Sequence, residues 1–101
     1  MEVVDPNDTY FKLCQETARI GWDELARFFA QGRVLQVAQG LDLPKVAAAI
    51  ADDDADQVRA WTQSRELGAV PDQTAASWFE EKRDVWAVTV APYVLVQPID
   101  R

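Results

Sequence analysis

The chain has 101 residues, 49% hydrophobic and 27% charged, with 17 acidic against 10 basic side chains and a net charge of −7. That length holds one domain, able to bury roughly 60 to 65% of the unfolded chain's surface. Histidine is absent and Cys14 is the sole cysteine. These counts exclude every histidine-dependent triad, the commonest neutral-pH base, internal disulfides and cysteine cages for zinc.

The opening Met1-Glu2-Val3-Val4-Asp5-Pro6 has neither the basic nor the apolar part of a signal peptide. Small secreted domains usually need disulfides, so a cytoplasmic protein is expected. The most apolar stretch, Val85 to Val96, is interrupted by Thr89 and Pro92 and is too short to span a bilayer. No membrane role is expected, and the acidic balance favours a basic protein partner over phosphate backbones.

A first helix is expected to start at Asp5 or Asn7, with Tyr10, Leu13, Cys14, Thr17 and Ala18 on one stripe and Cys14 buried. The second is marked by Ile20 and Leu25 around Gly21, an inward face of Trp22, Leu25, Phe28 and Phe29, and a stop at Gly32. Residues 33–38 alternate as a short strand, which Gly40 breaks. Asp42 caps a third helix with Val46, Ala47 and Ile50 inward, and the aspartate run ends it. Asp54 then caps a fourth helix through Gln57. That helix carries Val58, Trp61, Thr62 and Arg65 and is expected to stop near Gly68.

Pro71 and Asp72 open a fifth helix with Ala75, Trp78 and Phe79 inward. Residues 85–97 close the chain as β structure, bent or split at Pro92 and apolar on both faces, hence central or covered. The expectation is an α+β single domain, 1–101, of order α-α-β-α-α-α-β, its helices packed on a small two- or three-stranded sheet. Open edges of so small a sheet favour a homodimer.

Val46-Ala47, Ile50, a polar turn, Val58, Trp61 and Leu67 resemble the helix-turn-helix of excisionase-like and MerR-type DNA-binding domains, with a turn one residue longer. In that reading Arg59, Gln63 and Arg65 are the DNA contacts. Asp52, Asp53, Asp54 and Asp56 stand where such a helix would meet phosphates, which argues against nucleic acid. As a calcium loop the run fails, because Gln57 replaces the glycine and Gln63 the bidentate glutamate. A solvated turn and a helix cap account for all four.

Of Trp22, Trp61, Trp78 and Trp86, core packing is the default, and Trp78, among Ser77, Glu80 and Glu81, is the candidate for exposure. Glu80 and Glu81 are helix neighbours pointing apart, not a catalytic pair. The four glycines are too scattered for a phosphate loop. No cofactor or metal is implied, and an enzyme is not expected. The surface expected to meet a partner is Asp52, Asp53, Asp54, Asp56 and Trp78.

Trp22-Asp-Glu-Leu-Ala-Arg-Phe-Phe29, Gly32-Arg-Val-Leu-Gln-Val-Ala38, Gly40-Leu-Asp-Leu43 and Pro92-Tyr-Val-Leu-Val-Gln97, taken as a set, resemble a bacterial family known as a domain of unknown function. The resemblance spans nearly the whole chain and implies a bacterial cytoplasmic protein. It brings no activity, cofactor or partner. A non-enzymatic protein-interaction module is therefore the expected function, with a DNA-binding regulator as the alternative.

Overall fold

The structure, a computed structural model describing residues 9–99, runs α1 (Thr9–Glu16), β1 (Ala18–Gly21), α2 (Trp22–Ala30), β2 (Val34–Val37), α3 (Leu43–Ala51), α4 (Ala55–Gln63), β3 (Leu67–Ala69), α5 (Asp72–Glu80), β4 (Asp84–Val90) and β5 (Tyr93–Pro98). The strands form one five-stranded sheet of order β1-β4-β5-β2-β3. β2 and β5 run parallel; the remaining neighbours are antiparallel. The α+β class holds, but the sheet has more strands than expected.

Two of the added strands come from segments read as helix. Thr17 ends α1 by donating both its N–H and its Oγ1 to the Leu13 carbonyl, at 3.0 and 2.7 Å. Ala18 and its neighbours are thereby freed to pair with β4. The second is β3, because α4 stops at Gln63 and Gly68 lies within a strand. The final β segment splits at the turn through Ala91 and Pro92, joined by a cis peptide. The expected helix start at Asp5 or Asn7 lies outside the described residues.

Side chains alternate across a strand, so β4 and β5 feed two cores. Val85, Ala87, Val94 and Val96 meet Trp22 and Leu25 of α2 and Ala75 and Trp78 of α5. Val88 and Leu95 meet Leu13 of α1, Leu43, Val46 and Ala47 of α3, and Trp61 of α4. The central strands are covered on both faces, as their apolar character required. Both outer strands are short, β1 with four residues and β3 with three. Short edges are a common protection against edge pairing, which weakens the case for a dimer drawn from open edges.

Four helices end the same way. The residue after the C-cap is left-handed in each: Gly32 (φ 72°), Asp53 (57°), Arg65 (64°) and Lys82 (53°). The next N–H then reaches back five residues: Arg33 to Phe28 at 3.0 Å, Asp54 to Ala49 at 2.9 Å, Glu66 to Trp61 at 2.9 Å and Arg83 to Trp78 at 2.9 Å. This closure is normally given to glycine, because a Cβ disfavours positive φ. Lys82→Gly is therefore expected to stabilise the fold by about 1 kcal/mol, read as a higher melting temperature. Gly32→Ala is expected to destabilise it by a similar ~1 kcal/mol. No atom lies within 4 Å of the Cβ that Gly32 lacks, so that loss reports backbone strain alone.

Candidate interaction groove

A groove of about 520 Å³ lies between α2 and the sheet, at the hairpin end of β4 and β5. Its walls and floor include Ile20 of β1, Leu25 and Phe28 of α2, and Val94 of β5, with Thr89 of β4 at the open side. Glu16, Glu24 and Arg33 supply its charged groups, and all three side chains are exposed. α2 is placed over the sheet by Trp22, which is 2% exposed and packs edge-on against Trp78 and Phe29 at centroid distances of 5.0 and 5.6 Å. Phe28 of α2 and Ile20 of β1 remain half-buried at the groove. Such a site, apolar in its floor and charged at its margin, suits binding of an apolar side chain.

The surface expected from sequence lies elsewhere. Asp52, Asp53, Asp54 and Asp56 are all exposed at the turn between α3 and α4. Each also has a local setting. Asp52 is the C-cap of α3 and accepts from Thr9 Oγ1 at 3.4 Å. Asp53 is the left-handed residue, and Asp54 caps α4 by accepting from the Gln57 N–H at 3.3 Å. Asp56 stands 3.9 Å from Arg59 Nη1. Among the described residues, no group of three carboxylate or thiol side chains converges to hold a metal ion.

Trp78 does not join that surface. It is 5% exposed and belongs to the core beneath α2, whereas Phe79, expected inward, is 58% exposed. Adjacent helical positions point about 100° apart, and Trp78 takes the inward place because it meets Trp22. The 46–67 segment does fold as two helices. Arg59 and Gln63 are exposed on α4, but Arg65 lies beyond the helix in the turn to β3. A recognition helix would thus present two of its three expected donors, with Asp54 and Asp56 at its start.

A shallower hollow on the opposite sheet face gathers Tyr10, Cys14, Asp42, Pro44, Trp86 and Gln97. Cys14 is exposed there, contrary to the expected burial, because Leu13 alone fills the inward position of α1. Asp42 begins α3, yet its carboxylate accepts from Tyr10 Oη at 2.6 Å and makes no cap bond. That hydrogen bond, helped by neighbouring Cys14, holds the Tyr10 hydroxyl well above the ordinary tyrosine pKa. A raised folded-state pKa means that the α1–α3 tie is fully present below about pH 10 and is lost only at higher pH. Alkaline titration of Tyr10→Phe and the parent chain, followed by ultraviolet absorbance, is expected to show one late-ionising tyrosine only in the parent.

These features stand in a recognised fold. The family model described as "Protein of unknown function (DUF2288)" matches residues 8–98, and the chain belongs to that family. It is similar to a protein with an NMR solution structure, PA1075 from Pseudomonas aeruginosa. That likeness has a TM-score of 0.80 and 40% sequence identity, covering 100% of this chain and 94% of that one. Comparison with curated proteins finds no match.

Sequence reasoning missed the groove. Thr89 stood out only as a polar interruption of an apolar stretch, and nothing in the sequence set Glu16 and Glu24 beside it. Their proximity depends on where β1 begins to pair with β4, which four residues with one large apolar side chain do not announce. No helix among the described residues is long and apolar enough to cross a membrane.

Proposed function

We propose that this chain is a non-enzymatic protein-interaction module of the bacterial cytoplasm. The observation that carries this reading is the groove: its floor is alkyl and aromatic, and its charged groups are exposed at the margin rather than converging on a reacting centre. Binding energy in such a site comes from burying apolar side chains, with charge setting the choice of partner. The acidic turn at Asp52, Asp53, Asp54 and Asp56 is a second contact surface for a basic partner, and the P. aeruginosa likeness supports a bacterial setting.

A tagged pull-down from a bacterial lysate, with and without nuclease, tests the reading. A stoichiometric protein that survives nuclease, and is captured less well when the four aspartates become asparagine, is the expected result. Recovery of DNA, weakened by added salt and by replacing Arg59 and Gln63, would put a nucleic-acid regulator in its place.

A further inference from the structure

We infer that the groove is a strand-addition site, taking an extended basic segment of a partner protein that pairs with Thr89 and seats one large apolar side chain. The inference rests on the interaction-module reading and gives it a place and a mode of binding.

The sheet ladder is incomplete at this point. β4 pairs with β5 from Val85 to Val90, but β1 pairs with β4 only from Asp84 to Ala87. Beyond Ala18 the chain turns through Thr17 into α1, so that among the described residues no strand covers the outer edge of Val88 to Val90. The Trp22 N–H donates to the Arg83 carbonyl at 2.8 Å, so Arg83 faces the β1 side. Outward-facing positions recur every second residue in an antiparallel ladder, which brings Val85, Ala87 and then Thr89 to that side. Among the described residues, no turn, loop or side-chain hydrogen bond engages the Thr89 main chain. An unpaired N–H and C=O at a sheet edge is a template for another strand.

The same alternation decides where an added side chain goes. Directly opposed residues of paired strands project from the same face. A residue opposite Thr89 therefore projects onto the face of Ala87 and Val94, where the groove lies. One residue of the partner would make the main-chain bonds and deliver its side chain beside Ala18 and Ala87, at the end of the groove that Leu25 and Phe28 help to line.

Charge selects the partner. Glu16 and Glu24 are exposed along the groove, and the chain as a whole carries −7. Lysine or arginine flanking the apolar residue is attracted by both carboxylates, which outnumber the Arg33 guanidinium at the groove's margin. A second copy brings another −7 and offers the same short open edge, so the complementary occupant is a basic segment rather than this chain itself.

The test uses the whole chain, labelled with ¹⁵N, and blocked pentapeptides of the form Lys-Thr-X-Thr-Lys in which X is leucine, phenylalanine or tryptophan. Amide shifts at Ile20, Phe28 and Thr89 that saturate in the low-millimolar range are expected. They should weaken several-fold when glutamate replaces the peptide lysines, or when Glu16 and Glu24 become lysine. Thr89→Pro removes the outward N–H at a position where a sheet edge tolerates proline, and should abolish the shifts while the remaining spectrum stays native. No shift with any of the three peptides, or shifts indifferent to Thr89→Pro, would overturn the inference. Shifts confined to Asp52, Asp53, Asp54 and Asp56 would also overturn it while leaving the module reading in place. A doubling of mass with concentration that Thr89→Pro abolishes would assign the edge to a second copy instead.

Discussion

Trp22→Ala is expected to remove ~4 kcal/mol of folding stability. Trp22 is 2% exposed and holds α2 to both α5 and the sheet, meeting Trp78 at 80° and Phe29 at 61° between ring planes. Removing the indole loses its transfer energy, leaves a cavity that a nine-residue helix cannot close by itself, and breaks two edge-to-face contacts. Against a total of about 5–15 kcal/mol for a domain of this size, that loss leaves little margin. Urea unfolding should show a much lower midpoint, with the slope unchanged if the mutant still folds cooperatively. Trp22→Phe retains a ring for Trp78 to meet and should lose markedly less. Equal losses for the two would mean that volume alone matters there.

Gln97→Leu is expected to destabilise by about 2 kcal/mol, although the two side chains have similar size. The Gln97 Nε2 donates to the Ala38 carbonyl at 2.8 Å and to the Leu41 carbonyl at 2.7 Å. It thereby ties central strand β5 to the loop between β2 and α3. Leucine would leave both carbonyls without that donor in a half-buried setting. Gln97→Glu sharpens the test. A carboxylate facing two carbonyl oxygens is repelled, so its folded-state pKa rises above the unfolded value near 4.3. The stability of that variant should be best below about pH 4 and fall as pH rises through the folded pKa. A flat pH profile would show that the side chain simply swings into solvent.

The parts of the fold that announce themselves in sequence are those whose signals are local. Ile20, Leu25 and Gly32 mark both ends of α2, and Gly32 does adopt the left-handed turn. Asp54 caps α4 through the Gln57 N–H, as its spacing indicates. The residues from Val85 to Val96 are apolar on both faces because helices cover both. What is illegible depends on distant partners. β1 shows only Ile20 to the core, and β3 is three residues with a glycine; pairing with strands far along the chain defines them. Gly68 suggested a helix end, while the actual closure uses Arg65, a residue with no such preference. Trp78 and Phe79 differ by one helical step, and only the position of Trp22 decides which goes inward. Thr89 acquires its interest only once β1 is seen to stop short of it.

The position of β5 has a consequence for how the chain is made. It lies between β4 and β2, yet it is the last of the described elements to leave the ribosome. Until it arrives, β1 with β4 and β2 with β3 are separate two-stranded ribbons, and such ribbons have little independent stability. Synthesis from the N-terminus therefore yields helices and ribbon fragments before any sheet can be assembled. The sheet closes in one late step, when Tyr93 to Pro98 slot between the halves. Nascent chains stalled before Tyr93 should be open to protease along their whole length, and those extended far enough to free Pro98 should become resistant together.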